Sequence, residues 1–325
     1  MDIRKWHRPL LLVAALMIGS LVLSTGGLLL DDRMLNGEPV WLKPFKFSVS
    51  VGIYAFTLAW LISLLRSRRR ASRLGTVSAV VLTVEMVIII GQAFRGRVSH
   101  FNNMTSFDAT LYRLMGASIV VLWVVSLVVA VLVLRQRFAE PSVLWAIRIG
   151  IGLAVVGMTV AFLMTIPTPD QLAALKAGTR PSMIGAHSVG TPDGAAAMPI
   201  THWNLAGGDL RVPHFFGLHA LQAMPLFALA LRRFTSLGQA VRTRLVGVVG
   251  AGYVAWELLV TWQALRGQSL VAPDTLTLTT LGVIIAAVAT GIALALHTGP
   301  QTRNAEHTKI GAPGILPAQS GSGGI

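Results

Sequence analysis

The chain has 325 residues and a formal net charge of +14, and 54% of its residues are hydrophobic while only 12% are charged. Its mean hydropathy is +0.67, and its charged fraction is about half that of a soluble globular protein. These values exclude an ordinary soluble enzyme, a disordered chain and a secreted disulfide scaffold, and the absence of cysteine excludes a thiolate nucleophile and cysteine-ligated metals.

Eight apolar stretches are each long enough to cross a bilayer as a helix, which takes about 20 residues. Helices are expected because the hydrocarbon core leaves backbone N–H and C=O groups without other partners. The predicted spans are 9–30, 47–65, 74–94, 112–134, 143–166, 214–231, 245–264 and 276–297. The sequence therefore predicts an all-α polytopic bundle of eight transmembrane helices that contacts the lipid bilayer.

The positive charge is concentrated at one end of the predicted spans. Sixteen Lys and Arg residues lie in the segments at that end and ten at the other, whereas three acidic residues lie at the first end and eight at the other. The positive-inside rule then places the N-terminus and the C-terminus in the cytoplasm, for a protein of the bacterial inner membrane. The basic character is a topology signal, so we expect no nucleic-acid partner. The run RSRRRASR (66–73) is expected beside anionic lipid.

Short sequence matches recur in the same order along the two halves of the chain. The matched pairs, separated by 166 to 171 residues, are 37–38 with 208–209, 44–50 with 213–219, 92–97 with 263–268, and Asp108 with Asp274. Coincidence in apolar sequence is the alternative to duplication of a four-helix unit. Duplication of an even number of helices gives a 4+4 parallel repeat with its pseudo-two-fold axis along the membrane normal.

This reading divides the chain into residues 1–142 and residues 143–298, followed by a disordered cytoplasmic tail at 299–325, which is rich in Gly, Pro and Ser. The second half contains a long extracytoplasmic loop at 167–213. In that loop, Thr168 is suited to cap a short helix over 169–177, and residues 201–213 are expected to form a structured entry to the next span. In the first half, Trp41 is expected to anchor a turn at the membrane interface.

Three stretches carry a resemblance: NGEPVWLKPFKF (36–47), GQAFRGRVSHFN (91–102) and GGDLRVPHFFGLHALQ (207–222). They resemble conserved but uncharacterised bacterial multi-pass integral membrane proteins. The resemblance extends over most of spans two to eight. It implies the same structural class, and it implies no activity, cofactor or site.

Two acidic residues, Glu85 and Glu257, lie within predicted spans. A charged side chain at mid-depth costs about 2.5–3.5 kcal/mol on insertion scales, and protonation or pairing offsets that cost. These acids are therefore candidates for proton or cation coupling, and a protonated glutamic acid bonded to a neighbouring helix is the structural alternative. If Gln92 and Gln263 are equivalent, Glu257 aligns with Met86. Either a π-bulge restores the match between the acids, or their roles differ.

A second polar group gathers at the outer ends of the spans and indicates a site in an outward-facing cleft between the repeats. The candidate substrate-binding residues are Gln92, Arg95, Gln263, Arg266, Lys46, His100 and His214. The basic residues among them favour a small polar or anionic solute. We therefore expect a proton- or cation-coupled transporter rather than an enzyme.

Three other functions stay open at this point. One is a membrane redox protein that binds quinone or non-covalent haem b, with His219, His214 or His100 as axial ligands. His214 and His219 lie about 140° apart on a helix, so they do not share one metal from one helix face, and the sequence has no zinc signature. The others are a non-catalytic sensor or assembly factor and an intramembrane enzyme for a lipid-like substrate. The oligomeric state is left open.

Overall fold

The computed structural model describes residues 3–66, 68–137 and 139–297. Within these ranges the chain forms nine α-helices, a short 3-10 helix at Ile3–Lys5 and two small antiparallel ribbons. The helices are α1 (Arg8–Leu30), α2 (Leu42–Leu64), α3 (Arg68–Phe94), α4 (Ser106–Leu134), α5 (Pro141–Leu163), α6 (Pro169–Lys176), α7 (Arg211–Phe234), α8 (Gln239–Leu265) and α9 (Thr275–His297). The ribbons pair β1 (Met34–Leu35) with β2 (Glu38–Pro39) and β3 (Ser188–Val189) with β4 (Gly208–Asp209).

Every helix of the described residues except α6 is long and apolar enough to span a membrane, which confirms the predicted bundle of eight spanning helices. The chain is therefore a multi-pass integral membrane protein. Several helices begin earlier than the apolar stretches do: α2 starts at Leu42 and α4 at Ser106. An apolar stretch marks only the part of a helix inside the hydrocarbon, about 30 Å, whereas the 27 residues of α3 extend about 40 Å.

The bundle has two chemically different ends. One end, which we call the loop face, carries the β1–β2 ribbon, residues 95–105, residues 164–210 and the turn 266–274. The opposite end, which we call the arginine face, carries the connections from α2 to α3, from α4 to α5 and from α7 to α8. Its assignment to the cytoplasm stays a prediction, and the predicted tail at 299–325 lies outside the described residues.

Neighbouring helices pack in the same order in both halves. The pair α1–α2 corresponds to α5–α7, α2–α3 to α7–α8, and α3–α4 to α8–α9. Helices α1 and α5 each have 23 residues, and α3 and α8 each have 27. These regularities support the predicted duplication, while the duplication itself and its boundary at 142/143 stay predictions. The fourth helices differ: α4 packs on α5, with Trp123 Nε1 donating to Thr159 Oγ1 at 3.0 Å, whereas α9 packs mainly on α8.

Small residues lie where the first two spanning helices of each half cross. The hydroxyls of Ser20 and Ser48 are 2.7 Å apart at the α1–α2 contact. At the α5–α7 contact, a Cβ on Gly157 would lie only 2.8 Å from the Cα of Gly217. Close backbone approach through small residues is a common way for helices to associate in a bilayer, where apolar burial gives little driving force.

The long connection between α5 and α7 is structured. Thr168 caps α6 in a capping box with Gln171, which confirms the predicted short helix. Trp41 does not expose its ring as the predicted interfacial anchor would. Its side chain is 4% exposed, its Nε1 donates to Asp31 Oδ2 at 2.7 Å, and its ring fills the space above Gly27. The missing Cβ of Gly27 leaves room for the indole, and the carboxylate satisfies the indole N–H, so the whole ring is buried.

Candidate functional site

Glu85 and Glu257 both point into the helix bundle. Their relative exposures are 2% and 1%, and none of their four carboxyl oxygens has a hydrogen-bond partner among the described residues. Each lies eight or nine residues before the end of its helix at the loop face, which corresponds to about 12–13 Å. Buried polar groups in proteins nearly always have partners, so two unpaired carboxyl groups at this depth are candidates for function.

Glu257 lies at the crossing of α5, α7 and α8. A Cβ on Gly217 of α7 would be 2.8 Å from Glu257 Oε1, so the carboxyl group rests against the α7 backbone. One turn earlier on α8, the hydroxyl of Tyr253 donates to the carbonyl oxygen of Phe216 at 2.7 Å. The tyrosine is therefore engaged with the α7 backbone and leaves the carboxyl group without a donor.

Glu85 has a different environment, because it interacts electrostatically with Lys43 in the first turn of α2. The Lys43 ammonium is half-buried and lies 5.9 Å from the centre of the Phe47 ring. It donates no hydrogen bond to any residue that the structure describes. The first half thus combines an unpaired carboxyl group with a cation that lacks a hydrogen-bonded anion.

The two acids occupy non-equivalent positions in their helices. Helices α3 and α8 have equal lengths and begin 171 residues apart, so Glu257 corresponds to Met86 rather than to Glu85. Helix α8 is α-helical from Gln239 to Leu265, without the π-bulge that would restore the match. Met86 is 2% exposed, so Glu257 takes an interior position that is apolar in the first half.

An ion network joins the two halves at the loop face. Glu38 accepts hydrogen bonds from Lys46 Nζ at 3.2 Å and from Arg211 Nη1 at 3.0 Å. Arg211 also pairs with Asp209 at 2.7 Å and donates to the carbonyl oxygen of His202. Burial works to raise the pKa of Glu38, but the two cations outweigh it and hold that pKa below its usual value. Lys46, a predicted substrate contact, is thereby engaged in linking the halves.

Three histidines lie close to this network: His100, His187 and His214. Burial lowers the pKa of His100 well below its usual value, and the nearby charges of Lys43, His187 and His214 add to that effect. His187 Nδ1 bonds to Asp193 Oδ2 at 3.0 Å. Burial works to raise the pKa of Asp193, but hydrogen bonds from His187 and Ser188 hold it well below its usual range.

The structure also defines what each candidate haem ligand is bonded to. His219 uses both ring nitrogens, Nε2 with Ser50 Oγ at 3.1 Å and Nδ1 with Gln222 Oε1 at 3.2 Å. The Nδ1 atoms of His100 and His214 bond to Ser99 Oγ and to the Gly157 carbonyl oxygen, and their Nε2 atoms have no such partner in the described chain. Iron coordination at His219 would require a hydrogen bond to break. No group of three or more His, Asp or Glu residues in the described ranges is placed to hold a metal ion.

The paired glutamines hold the turns that follow α3 and α8. Gln92 donates to the carbonyl oxygen of Val98 at 3.3 Å, and Gln263 donates to that of Ser269 at 2.7 Å. Gln92 also donates to Asp108 Oδ1 at 3.0 Å. Gln92 and Gln263 are equivalent positions in the matched stretches 92–97 and 263–268. The side-chain amide of each is already bonded within the protein.

The paired arginines make matching ion pairs at the same ends of α3 and α8. Arg95 pairs with Asp108 at 2.8 Å, and Arg266 pairs with Asp274 at 2.5 Å. The role of these arginines and of Gln92 and Gln263 as substrate contacts stays a prediction.

Several polar residues of the site escaped the sequence analysis. Ser50, Thr57 and Gln222 form the polar contact between α2 and α7, in which Gln222 Nε2 donates to Thr57 Oγ1 at 3.1 Å. Serine and threonine within an apolar span carry little signal, because they often bond to their own helix backbone. The repeat offset of 169 residues, which pairs Ser50 with His219, was the signal that could have found this contact.

No protein-family model, curated protein or solved structure matches the chain. Its function therefore has to be inferred from the geometry and chemistry of these residues alone.

Proposed function

We propose that the chain is a carrier of the bacterial cytoplasmic membrane that couples movement of a proton or cation to passage of a small polar or anionic solute. The observation that carries this proposal is the pair of buried carboxyl groups, Glu85 and Glu257, whose oxygens have no hydrogen-bond partners in the part of the chain that the structure describes. Acidic residues within spans that face a bundle interior are characteristic of ion pathways and proton relays.

Coupling in the first half follows from the electrostatic interaction between Glu85 and Lys43. When Glu85 is ionised, its charge compensates part of that of Lys43. When Glu85 takes up a proton, the Lys43 ammonium loses one of the negative charges around it, with Glu38 and Asp193 remaining, and attracts an anion from the loop face more strongly. Proton uptake by Glu85 and anion binding near Lys43 thus favour each other. This is the reciprocal linkage that a proton–anion symporter requires.

The loop face supports an anionic solute rather than a cationic one. The charge of Lys43 acts on the nearby His100. Arg211 and Lys46 add positive charge to the same region, and each of them already bonds to Glu38. An anion entering this region meets one ammonium without a hydrogen-bonded partner, and that ammonium is the natural first contact.

Transport is tested with the purified protein in vesicles of phosphatidylethanolamine and phosphatidylglycerol that enclose a pH-sensitive dye. A panel of phosphate, sulfate and short carboxylates is added outside, and solute-dependent acidification of the lumen is recorded. We expect acidification with the wild type and at least a tenfold loss of rate with Glu85→Gln. Glu140→Gln, at the arginine face, is the matched control. A folded Glu85→Gln variant that acidifies the lumen like the wild type would contradict the proposal.

A carbodiimide that reacts with protonated buried carboxyl groups tests the acids without knowledge of the solute. We expect adducts on Glu85 and Glu257 near neutral pH, located by mass spectrometry of the digested protein. Asp108 and Asp209 are buried controls that should stay unlabelled, because each carboxylate is engaged in an ion pair, with Arg95 and Arg211 respectively. Absence of adducts on both glutamates would remove the coupling role.

A redox protein with non-covalent haem is the second candidate, and the unbonded Nε2 atoms of His100 and His214 support it. Absorption spectra of the purified protein, air-oxidised and then reduced with dithionite, decide between the two functions. A Soret band with reduced α and β bands at near-stoichiometric haem would favour the redox function. A featureless spectrum from protein expressed with adequate haem would leave transport as the proposed function.

A further inference from the structure

A groove opens at the arginine face between the start of the chain, α2 and α3. Its volume is about 340 Å³, which lies within the range of small-ligand sites, about 300–1,000 Å³. Its lining comprises Lys5, Trp6, His7, Arg8, Pro9, Ile62, Ser63, Ser72 and Thr76. The groove lies at the opposite end of the bundle from the loop-face network, and inferences about it do not depend on the proposed transport.

The groove is built by the anchoring of the N-terminal segment to α3. His7 is 8% exposed, and its Nδ1 accepts the backbone N–H of Leu10 while its Nε2 bonds to Thr76 Oγ1, both at 3.4 Å. A Cβ on Gly75 would lie 2.9 Å from His7 Cε1, so the glycine makes room for the imidazole. The wall formed by the N-terminal segment is therefore held in place by packing and by two hydrogen bonds.

The groove is basic. Lys5 and Arg8 line it, and neither forms an ion pair with any residue in the described ranges. On α3, Arg69 and Arg73 lie within about 100° of Ser72 and Thr76 around the helix axis, so they stand on the same side as the groove.

Little negative charge balances these cations. Glu140 is the one acidic residue that the structure describes at the arginine face, and its carboxylate lies 3.7 Å from Arg242. The groove therefore combines cations that pair with no described acidic residue and the hydroxyl donor of Ser72, which is the chemistry that binds a phosphate group, while the Thr76 hydroxyl donates to the Ser72 carbonyl oxygen.

Apolar surface continues from the groove along the spanning helices. The Trp6 ring packs edge-on against the Phe56 ring of α2, with 5.0 Å between the ring centres. Phe56 is 46% exposed on the side of the bundle that faces lipid. Tryptophan beside Lys and Arg at the end of spanning helices is typical of the headgroup region. A ligand in this groove would place its phosphate among the cations and an acyl chain along Phe56.

We propose that this groove is a binding site for the phosphate headgroup of an anionic phospholipid. Lys5 and Arg8 contact the phosphate, the Ser72 hydroxyl donates a hydrogen bond to it, and Trp6 with Phe56 contacts the glycerol backbone and the first acyl carbons. A lipid is favoured over a soluble phosphate because the groove lies at the ends of three spans and is continuous with exposed apolar surface.

Native mass spectrometry of the full-length protein in detergent, titrated with phosphatidylglycerol, tests the site. We expect one phosphatidylglycerol to bind more tightly than phosphatidylcholine. The double variant Lys5→Gln/Arg8→Gln should bind it about 25-fold more weakly, about fivefold for each cation removed. The control variant Arg135→Gln/Arg137→Gln removes the same charge from the same face outside the groove and should bind like the wild type.

Three results would overturn the proposal. They are equal weakening in the control variant, unchanged binding in the groove variant, and displacement of the lipid by equimolar inorganic phosphate or glycerol phosphate. The first indicates diffuse surface charge and the last a site for a soluble phosphate. If the double variant does not fold, Lys5→Gln alone should weaken binding about fivefold relative to Arg137→Gln.

Discussion

Ser50 of α2 and His219 of α7 bond to each other, with 3.1 Å between Ser50 Oγ and His219 Nε2. They are 169 residues apart, the same separation as that between Leu42 and Arg211, the first residues of the two helices. Equivalent residues contact each other only where a two-fold axis passes between them. The bond is therefore the contact expected at the axis of the predicted parallel repeat, and it supports that prediction.

This bond should contribute measurably to the contact between the halves. Ser50→Ala removes the hydroxyl of this bond, and His219→Gln replaces the imidazole. In a double-mutant cycle of the two substitutions we expect a coupling energy of about 0.5–1.5 kcal/mol. The measurement is the free energy of unfolding in mixed micelles as the fraction of denaturing detergent rises. Additive effects of the two substitutions would show that the bond adds nothing to stability.

The crossing of α5 and α7 should tolerate no side chain at Gly157. A Cβ there would lie 2.7 Å from the Leu218 backbone nitrogen, and backbone atoms cannot rotate away as the end of a flexible side chain can. We expect Gly157→Ala to lower the free energy of unfolding by about 1–3 kcal/mol. Gly152→Ala in the same helix is the matched control, because its Cβ would meet no atom within 4 Å. Equal stability of the two variants in thermal unfolding would argue against the close crossing.

The two matching ion pairs should differ in strength. Asp108 is fully buried, whereas the Asp274 side chain is 38% exposed, and each pairs with one arginine. Arg95→Gln leaves a buried carboxylate short of a charged partner and should cost about 1.5–3 kcal/mol. Arg266→Gln disrupts an exposed pair that solvent screens, and it should cost less than Arg95→Gln does. Thermal unfolding of both variants under identical detergent conditions compares them, and the reverse order would contradict the assigned burial.

His100 should make the protein less stable in mild acid. Because burial lowers its pKa in the folded protein, the unfolded chain binds more protons as the pH falls below about 6.5. The free energy of unfolding should therefore decrease from pH 7 toward pH 5 and stay level above pH 7.5. His100→Gln should reduce this slope, while Ser99→Ala, which keeps the imidazole, should retain it. An unchanged slope in His100→Gln would assign the acid sensitivity to other groups.

The sequence located the polar residues of the site without determining which of them are engaged. Glu85 and Glu257 stood out because a carboxyl group within an apolar span is rare, and the structure places both in the interior. Arg95 and Arg266 stood out equally, yet each forms an ion pair within its own turn. A one-dimensional pattern gives the depth of a residue, whereas its hydrogen-bond partners depend on how helices and turns fold together.

The number and class of the helices were determined by the sequence alone, because a bilayer requires each crossing segment to be apolar and to satisfy its own backbone hydrogen bonds. Tertiary structure alone decided the polar contacts between the halves. Glu38 and Arg211 are 173 residues apart, and their bond depends on the helix ends meeting at the loop face. Packing also decided that Glu257 lies against Gly217 while Glu85 interacts with Lys43. Helix crossings are set by the shapes of side chains from distant segments, and no local pattern records them.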